Sequence, residues 1–121
     1  MREVPVLGPL ERRVMDVLWD SAEELTTREV LDRVGQPLAY TTIATVLTNL
    51  LRKELVDKLP LGRAWAYRAR VRRSEYTAGV MASTLASGGD RRDALLHFVG
   101  SMSEDDVAVL RSLLEAERAQ P

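Results

Sequence analysis

Residues 40–53 read YTTIATVLTNLLRK and present two contrasting faces when wound into a helix. Apolar side chains recur at helical spacing, which favours one buried stripe, formed by Ile43, Val46, Leu47, Leu50 and Leu51. The opposite face carries Thr41, Thr42, Thr45, Thr48, Asn49 and Arg52. Threonine is a poor choice for an exposed helix face, because β-branching restricts its rotamers. The pattern therefore indicates that these side chains serve something other than helix stability.

Two explanations of the threonine face remain open at this point. A threonine hydroxyl can donate to or accept from a base edge or a phosphate, and its methyl group can pack on thymine. The same hydroxyl can instead bond back to a carbonyl of its own helix. The segments on either side of residues 40–53 favour the first explanation.

Two shorter helices are predicted before this one. Apolar residues at helical spacing predict a helix over about residues 9–20, with Trp19 closing the core at its end; they are Leu10, Val14, Val17 and Leu18. Thr26 and Glu29 have the spacing of a capping box, in which each side chain bonds a backbone N–H of the other end of the motif. A second helix is therefore expected from about residue 27, ended by Gly35.

A β-hairpin is predicted after the third helix. Residues 55–59 and 64–68 read LVDKL and AWAYR, and Gly62 between them supplies a tight connection, with Arg63 near the tip. Three helices followed by a hairpin describe a winged helix-turn-helix, a mainly α fold with a small β-hairpin wing. In that architecture the third helix enters the major groove of DNA and the hairpin flanks the phosphate backbone.

The last third of the chain predicts a separate helical region. A helix is expected from Ser74, a second one capped by Asp90 and a third one capped by Ser103. Their apolar residues need a covering surface, and a second copy of the chain is the simplest one; we assign dimerisation to Val80, Leu95, Phe98, Val107, Leu110, Leu113 and Leu114. The alternative is that these helices fold back on their own winged-helix domain. The predicted domains are residues 1–72, which bind DNA, and residues 73–121, which dimerise.

Charge is distributed unevenly along the chain. Residues 1–73 hold 13 Lys/Arg against 10 Asp/Glu, whereas residues 74–121 hold 4 against 8. Eight basic residues cluster within residues 52–73; they are Arg52, Lys53, Lys58, Arg63, Arg68, Arg70, Arg72 and Arg73. Such a stripe is typical of an edge that contacts phosphates, although ordinary solvated surface is the alternative.

The composition argues against several other functions. The chain has no cysteine and a single histidine, His97, so we expect no disulfide, no metal site and no Ser-His-Asp triad. His97 reads as a helix-terminal residue. No glycine-rich phosphate loop is present, and we expect neither catalysis nor a cofactor. The N-terminus lacks the pattern of a signal peptide and no apolar run is long enough to cross a membrane, which predicts a cytoplasmic protein without a membrane partner.

Three segments resemble the penicillinase-repressor family of the BlaI/MecI type. Residues 7–19, LGPLERRVMDVLW, are similar to its opening helix, and residues 40–56, YTTIATVLTNLLRKELV, to its recognition helix. Residues 94–99, ALLHFV, resemble its C-terminal dimerisation segment. The likeness spans about residues 7–116, and the combination is more specific than any one segment.

The resemblance implies a dimeric repressor of a pseudo-palindromic double-stranded operator built on TACA and TGTA halves, often upstream of β-lactamase genes. Thr41 and Thr42 would approach base edges, while Thr45, Arg52 and Arg63 would hold phosphates.

Several family members are released from DNA by a regulatory protease that cuts next to a phenylalanine, and His97 and Phe98 occupy the matching place. The chain departs from the family at His97, where many members have asparagine, and at Asn49, where arginine is common.

Two other functions are compatible with the same fold. A winged helix can serve as a scaffold for protein interaction, which the acidic C-terminal region would suit. A PadR- or MarR-like regulator that responds to a small ligand is the second alternative.

Overall fold

The computed structural model describes residues 4–119 in two compact units, one ending at Val80 and one beginning at Met81, within a helix. In chain order the elements are α1 (Pro9–Trp19), β1 (Leu25–Thr26), α2 (Thr27–Val34), α3 (Tyr40–Arg52), β2 (Val56–Leu61), β3 (Ala64–Ala69), α4 (Arg73–Ser87), α5 (Arg91–Ser101) and α6 (Glu104–Ala119). The mainly helical winged-helix fold is confirmed. The division into domains 1–72 and 73–121 stays a prediction, and its outer ends, residues 1–3 and 120–121, lie outside the described residues.

The N-terminal end of α2 is the predicted capping box. Thr26 Oγ1 accepts a hydrogen bond from the Glu29 backbone N–H at 3.2 Å, and Glu29 Oε1 accepts one from the Thr26 N–H at 3.0 Å. At the other end, Gly35 has φ 75°, a left-handed conformation that costs glycine little and terminates the helix. Local sequence thus determines both ends of α2.

The wing hairpin is part of a three-stranded antiparallel sheet in the order β1-β3-β2. The hairpin β2–β3 was predicted, with register pairs from Val56↔Ala69 to Leu61↔Ala64. Strand β1 was not predicted, and its Leu25 pairs with Tyr67 on the other edge of β3. This strand ties the wing to the segment that leads into α2.

The core of the first unit lies between α1, α2, α3 and the sheet. The predicted stripe of α3 faces it: Ile43, Leu47 and Leu50 are fully buried, Val46 is nearly so and Leu51 is half-buried. Fully buried side chains from the other elements meet them there, namely Val14, Met15, Val30, Val34 and Val56. This packing leaves the threonine face of α3 pointing away from the core.

Trp19 lies at the edge of the core, where α1 meets the start of α4. Its Nε1–H donates to the Val71 carbonyl at 2.9 Å, and its ring centroid is 5.6 Å from that of Tyr76. The side chain is half-buried. It therefore closes the end of the core, as predicted, through one hydrogen bond and one ring contact.

The second unit contains the end of α4 together with α5 and α6. Asp90 Oδ1 accepts from the Asp93 N–H and Ser103 Oγ accepts from the Asp106 N–H, each at 3.1 Å, so both predicted caps are confirmed. Neither α5 nor α6 buries a side chain among the described residues.

His97 lies inside α5, not at its terminus as expected. Its Nε2 is 3.6 Å from Asp93 Oδ1, one helical turn earlier. The expected interaction with the negative end of the helix is replaced by this exposed side-chain pair.

Candidate nucleic-acid interface

The polar face of α3 brings the predicted DNA-contacting residues together. Thr41, Thr45, Thr48 and Arg52 are exposed, whereas Thr42 and Asn49 are half-buried at the margin of the core. All six lie on the same side of α3, because the apolar residues between them face the core. The face is therefore a continuous polar surface about one helix long.

Hydrogen bonds divide the threonines into two groups. Thr48 Oγ1 donates to the Ala44 carbonyl at 3.0 Å. The second explanation given above, a hydroxyl bonded to a carbonyl of its own helix, therefore holds for Thr48. The hydroxyls of Thr41, Thr42 and Thr45 form no side-chain hydrogen bond to any residue that the structure describes. These three hydroxyls remain available to a ligand.

Arg52 ends the same face, at the last residue of α3. Its Nη2 donates to Asn49 Oδ1 at 3.0 Å, one turn earlier. Asn49 thus orients the guanidinium group, and the Arg52 side chain is exposed at the end of the helix. A planar fork held in this way suits the oxygens of a phosphate.

Arg63 lies in the turn between β2 and β3. Gly62, before it, has φ 62°, which a residue with a side chain adopts only at a cost. Arg63 is exposed, and it forms no ion pair within residues 4–119. The wing therefore carries one unpaired cation at its tip.

Most of the predicted basic stripe is neutralised by carboxylates of the same chain. Lys53 Nζ is 2.8 Å from Glu11 Oε1, Arg70 Nε is 2.8 Å from Asp57 Oδ1, and Arg73 Nη2 is 2.9 Å from Asp20 Oδ1. Arg68 and Arg72 pair at 3.5 and 3.8 Å. Among the described residues of the stripe, the unpaired cations are Arg52, Lys58 and Arg63.

This pairing leaves three cations of the expected phosphate-contacting edge without a carboxylate partner in the described chain.

The cations also lower the pKa values of two of the carboxylates that they pair with. The hydrogen bond from Arg70 holds the pKa of Asp57 below its usual value, with Arg68 contributing. Burial raises the pKa of Glu11, but the hydrogen bonds from Lys53 and the Gly8 N–H outweigh it and lower the pKa overall.

Two exposed aromatic residues at this surface were not singled out from the sequence. Tyr40, the first residue of α3, is 51% exposed, and Trp65 of β3 is 54% exposed. Period-two alternation along β3 does not account for the exposure of Trp65, because Tyr67, two residues further along on the same face, is buried. The period-two pattern alone does not say which face of a narrow ribbon is covered.

The predicted dimerisation residues lie mostly on exposed surface. Phe98 is 49% exposed and Val107 is half-buried. The others are exposed, namely Val80, Leu95, Leu110, Leu113 and Leu114. His97 and Phe98 are both in the helical part of α5, so the peptide bond between them lies within regular structure.

Metal and membrane sites are not found in the described part of the chain. No three His, Cys, Asp or Glu residues among residues 4–119 are grouped so that they could hold a metal ion. No described helix combines the length and the apolar character that crossing a bilayer requires.

DNA-binding winged helices combine three packed helices with a β-hairpin wing, and the third helix presents its polar face to DNA. This chain has the same arrangement, with an exposed arginine at the end of the sheet. The fold and the site thus define a winged-helix DNA-binding protein.

The sequence model of the penicillinase repressor family matches residues 7–116. The chain is 40% identical over 119 residues to the transcriptional regulator BlaI of Mycobacterium tuberculosis, covering 94% of this chain and 86% of that protein. It is 24% identical over 124 residues to the penicillinase repressor of Bacillus licheniformis, covering 98% and 96%.

The solution structure of the Bacillus licheniformis BlaI monomeric form in complex with the blaP half-operator is similar with a TM-score of 0.52 and 27% identity, over 63% of this chain and 94% of that one. The chain belongs to the penicillinase repressor family, and it is a DNA-binding transcriptional repressor.

Proposed function

We propose that this chain represses transcription as a homodimer on a pseudo-palindromic operator with TACA and TGTA halves. Thr41 and Thr42 approach base edges, and Thr45, Arg52 and Arg63 hold phosphates. The observation that carries the proposal is the set of three threonine hydroxyls without a partner among the described residues, on the outward face of a helix whose other face is core. Thr48 offers its methyl group, and Asn49 orients Arg52.

Two observations support binding as a two-fold dimer: the half-operator complex of a relative and the exposed apolar side chains of the second unit. The Bacillus licheniformis relative was studied as a monomeric form on a half-operator, and a full operator with two halves suits two copies of a chain. The apolar side chains of α5 and α6 supply the surface on which two copies would associate, because they are not covered within the second unit. A two-fold axis would pair this surface with itself.

Release by a regulatory protease is part of the proposal. The bond between His97 and Phe98 is inside α5, and a protease needs an extended segment, so cleavage requires local opening of this helix. The proposal places the repressor in the cytoplasm, where the operator of a bacterial gene is found. We propose no catalytic role for any residue of the chain.

Binding to two duplexes of equal length and composition tests the operator assignment. One duplex carries the TACA/TGTA inverted repeat and the other a scrambled sequence, and fluorescence anisotropy is recorded across a salt series. We expect tight binding with a preference for the repeat and affinity that falls as salt rises. Equal affinity for the two duplexes would contradict the operator, and no binding at low salt would favour a protein-interaction module.

Thr42→Val and Thr48→Val form a matched pair, because both exchange a hydroxyl for a methyl group. Loss of the Thr42 hydroxyl should weaken operator binding by about 1 to 3 kcal/mol and leave the scrambled duplex unaffected. Thr48→Val should change neither affinity, since the Thr48 hydroxyl already bonds to Ala44.

Arg63→Ala should weaken binding to both duplexes alike and reduce the salt slope by about 1, because a phosphate contact carries no sequence information.

For the threonine pair, equal losses of operator affinity for Thr42→Val and Thr48→Val would contradict the base contact assigned to Thr42.

A further inference from the structure

The segment before α1, residues 4–8, is bonded to the residue that caps the end of α3. Lys53, the C-cap residue of α3, donates from Nζ to the Val6 carbonyl at 2.9 Å. The same ammonium group is 2.8 Å from Glu11 Oε1, which also accepts from the Gly8 N–H at 2.9 Å. These bonds attach residues 4–8, which we call the N-terminal strap, to the end of the recognition helix.

The other end of the N-terminal strap lies on α4. Tyr76 donates from its hydroxyl group to the Pro5 carbonyl at 3.5 Å. Val4 packs directly on Gly79, because a Cβ added to Gly79 would lie only 2.5 Å from Val4 Cγ2. A real side chain at position 79 would therefore push Val4 away, and the contact between the strap and α4 requires glycine there.

Gly79 is an unfavourable residue for the helix in which it lies. It is inside α4, and glycine has the lowest helix propensity of any residue except proline. Gly100, inside α5, differs from it, since no described atom lies within 4 Å of a Cβ added there. Close approach of the strap thus gives a physical reason for glycine at position 79.

The start of α4 is also held from the side of α1. Arg73 Nη2 lies 2.9 Å from Asp20 Oδ1 and 3.4 Å from Asp16 Oδ1, and the rings of Trp19 and Tyr76 are in contact. Helix α4 begins in the first unit and ends in the second. The first unit therefore fixes the start of this helix from two sides, with α1 on one and the strap on the other.

We propose that the N-terminal strap is a positioning element that sets the half-site spacing accepted by the dimer. It joins the end of α3, which reads a half-site, to the helix that leads into the second unit. One added base pair turns a half-site by about 34° and moves it by about 3.4 Å, so the direction of α4 decides which spacing two copies can bind together. The inference rests on the proposed function, and Val4 and Gly79 act through α4 without touching DNA.

Gly79→Ala tests the strap, because it displaces Val4 and at the same time favours the helix. Fluorescence anisotropy gives the affinity for a half-operator, for the full operator, and for operators with one or two base pairs inserted or removed between the halves. We expect Gly79→Ala to reduce the preference for one spacing about fivefold or more, the lower end of a typical coupling between sites. Half-operator affinity should stay unchanged, and a spacing preference that survives the substitution overturns the inference.

A second substitution in the strap should restore the preference. Val4→Ala/Gly79→Ala removes the clashing methyl groups and leaves Val4 Cβ at 3.8 Å from the added Cβ, an ordinary contact. Val6→Ala/Gly79→Ala removes the same two methyl groups from a side chain that is 85% exposed, and it should not restore the preference. Equal behaviour of the two double variants overturns the contact assigned to Val4.

A disulfide tests the placement of the strap without DNA. The chain has no cysteine, and a Cβ separation of 3.8 Å suits a disulfide, so Val4→Cys/Gly79→Cys should form one within a chain when treated with oxidised glutathione. Mass spectrometry of the monomeric chain detects the loss of two hydrogen atoms. The oxidised variant should keep the spacing preference and the reduced variant should lose it; failure to form the bond overturns the placement of the strap.

The outcomes separate this inference from the proposed function. A chain that prefers the operator over the scrambled duplex, but whose spacing preference is insensitive to Gly79→Ala, overturns the role of the strap alone. A chain that shows no preference for the operator overturns both.

Discussion

Both compact units contain helices with large apolar side chains, but the two units cover these side chains differently. In the first unit the apolar stripe of α3 is buried against two helices and a sheet, with Leu47 fully excluded from solvent. In the second unit Phe98 and Leu113 are about half or more exposed, and no described residue of α5 or α6 is buried. Burial of apolar area is the main favourable contribution to folding. The first unit supplies that burial from its own residues, whereas most apolar side chains of α5 and α6 stay exposed in the second unit.

The largest effect is expected in the core of the first unit. Leu47→Ala should lower the free energy of unfolding by about 2 to 5 kcal/mol, because it removes buried methyl groups and leaves a cavity. Urea unfolding at one fixed protein concentration measures the change. Leu61→Ala, at a position that is 50% exposed, is the control and should change stability by less than about 0.5 kcal/mol.

A weaker effect, on association, is expected in the second unit. Phe98→Ala should raise the dimer dissociation constant by about 30-fold, equivalent to about 2 kcal/mol at an interface. Sedimentation equilibrium gives the constant, and circular dichroism checks that the first unit stays folded. Val6→Ala, at an 85% exposed apolar residue of the first unit, should leave association unchanged. A dimer that is insensitive to Phe98→Ala would contradict the proposed role of α5.

A smaller effect is expected where α3 ends. The Leu55 N–H donates to the Leu50 carbonyl and the Glu54 N–H donates to the Leu51 carbonyl, each at 3.0 Å. These two hydrogen bonds are the pair that defines a Schellman motif. Glu54 holds the left-handed position with φ 62°. Glu54→Gly should therefore be more stable than Glu54→Ala by about 1 kcal/mol, because alanine keeps the steric cost of its Cβ.

Both Glu54 variants lose the carboxylate, so their difference in thermal or urea unfolding isolates the backbone conformation. Equal stabilities would mean that the left-handed position is not strained.

The smallest effect is expected in the acid dependence of stability. The pKa of Glu11 in the folded chain lies below its ordinary value of 4.5, despite burial, because Lys53 and the Gly8 N–H bind the ionised carboxylate. Its contribution is present above the unfolded pKa and is lost as the pH falls through the folded pKa. Glu11→Gln should flatten the decrease in stability below about pH 4.5.

Urea midpoints across an acid series measure this dependence, and Glu117→Gln on exposed α6 removes the same charge as a control. If Glu11→Gln leaves the acid dependence unchanged, the bond to Lys53 does not favour the ionised form.

Local sequence by itself determined most elements of this protein and the principal face of its site. Several features depend on residues within one or two helical turns of each other. They are the capping box of Thr26 and Glu29, the caps at Asp90 and Ser103, and the two faces of α3. Such signals are visible in sequence because the interacting groups are neighbours in the chain. The family resemblance likewise depends on contiguous segments, namely residues 7–19, 40–56 and 94–99.

Only the tertiary structure decided which charges the site retains and what completes the sheet. Lys53 meets Glu11, and Arg73 meets Asp20, across more than 40 residues of chain. Strand β1 has two residues and exists because β3 offers it a free edge. Long-range pairing of this kind depends on how helices and strands pack, so a count of basic residues overstated the cationic edge. The sequence contained every charge, but packing selected the cations that remain unpaired.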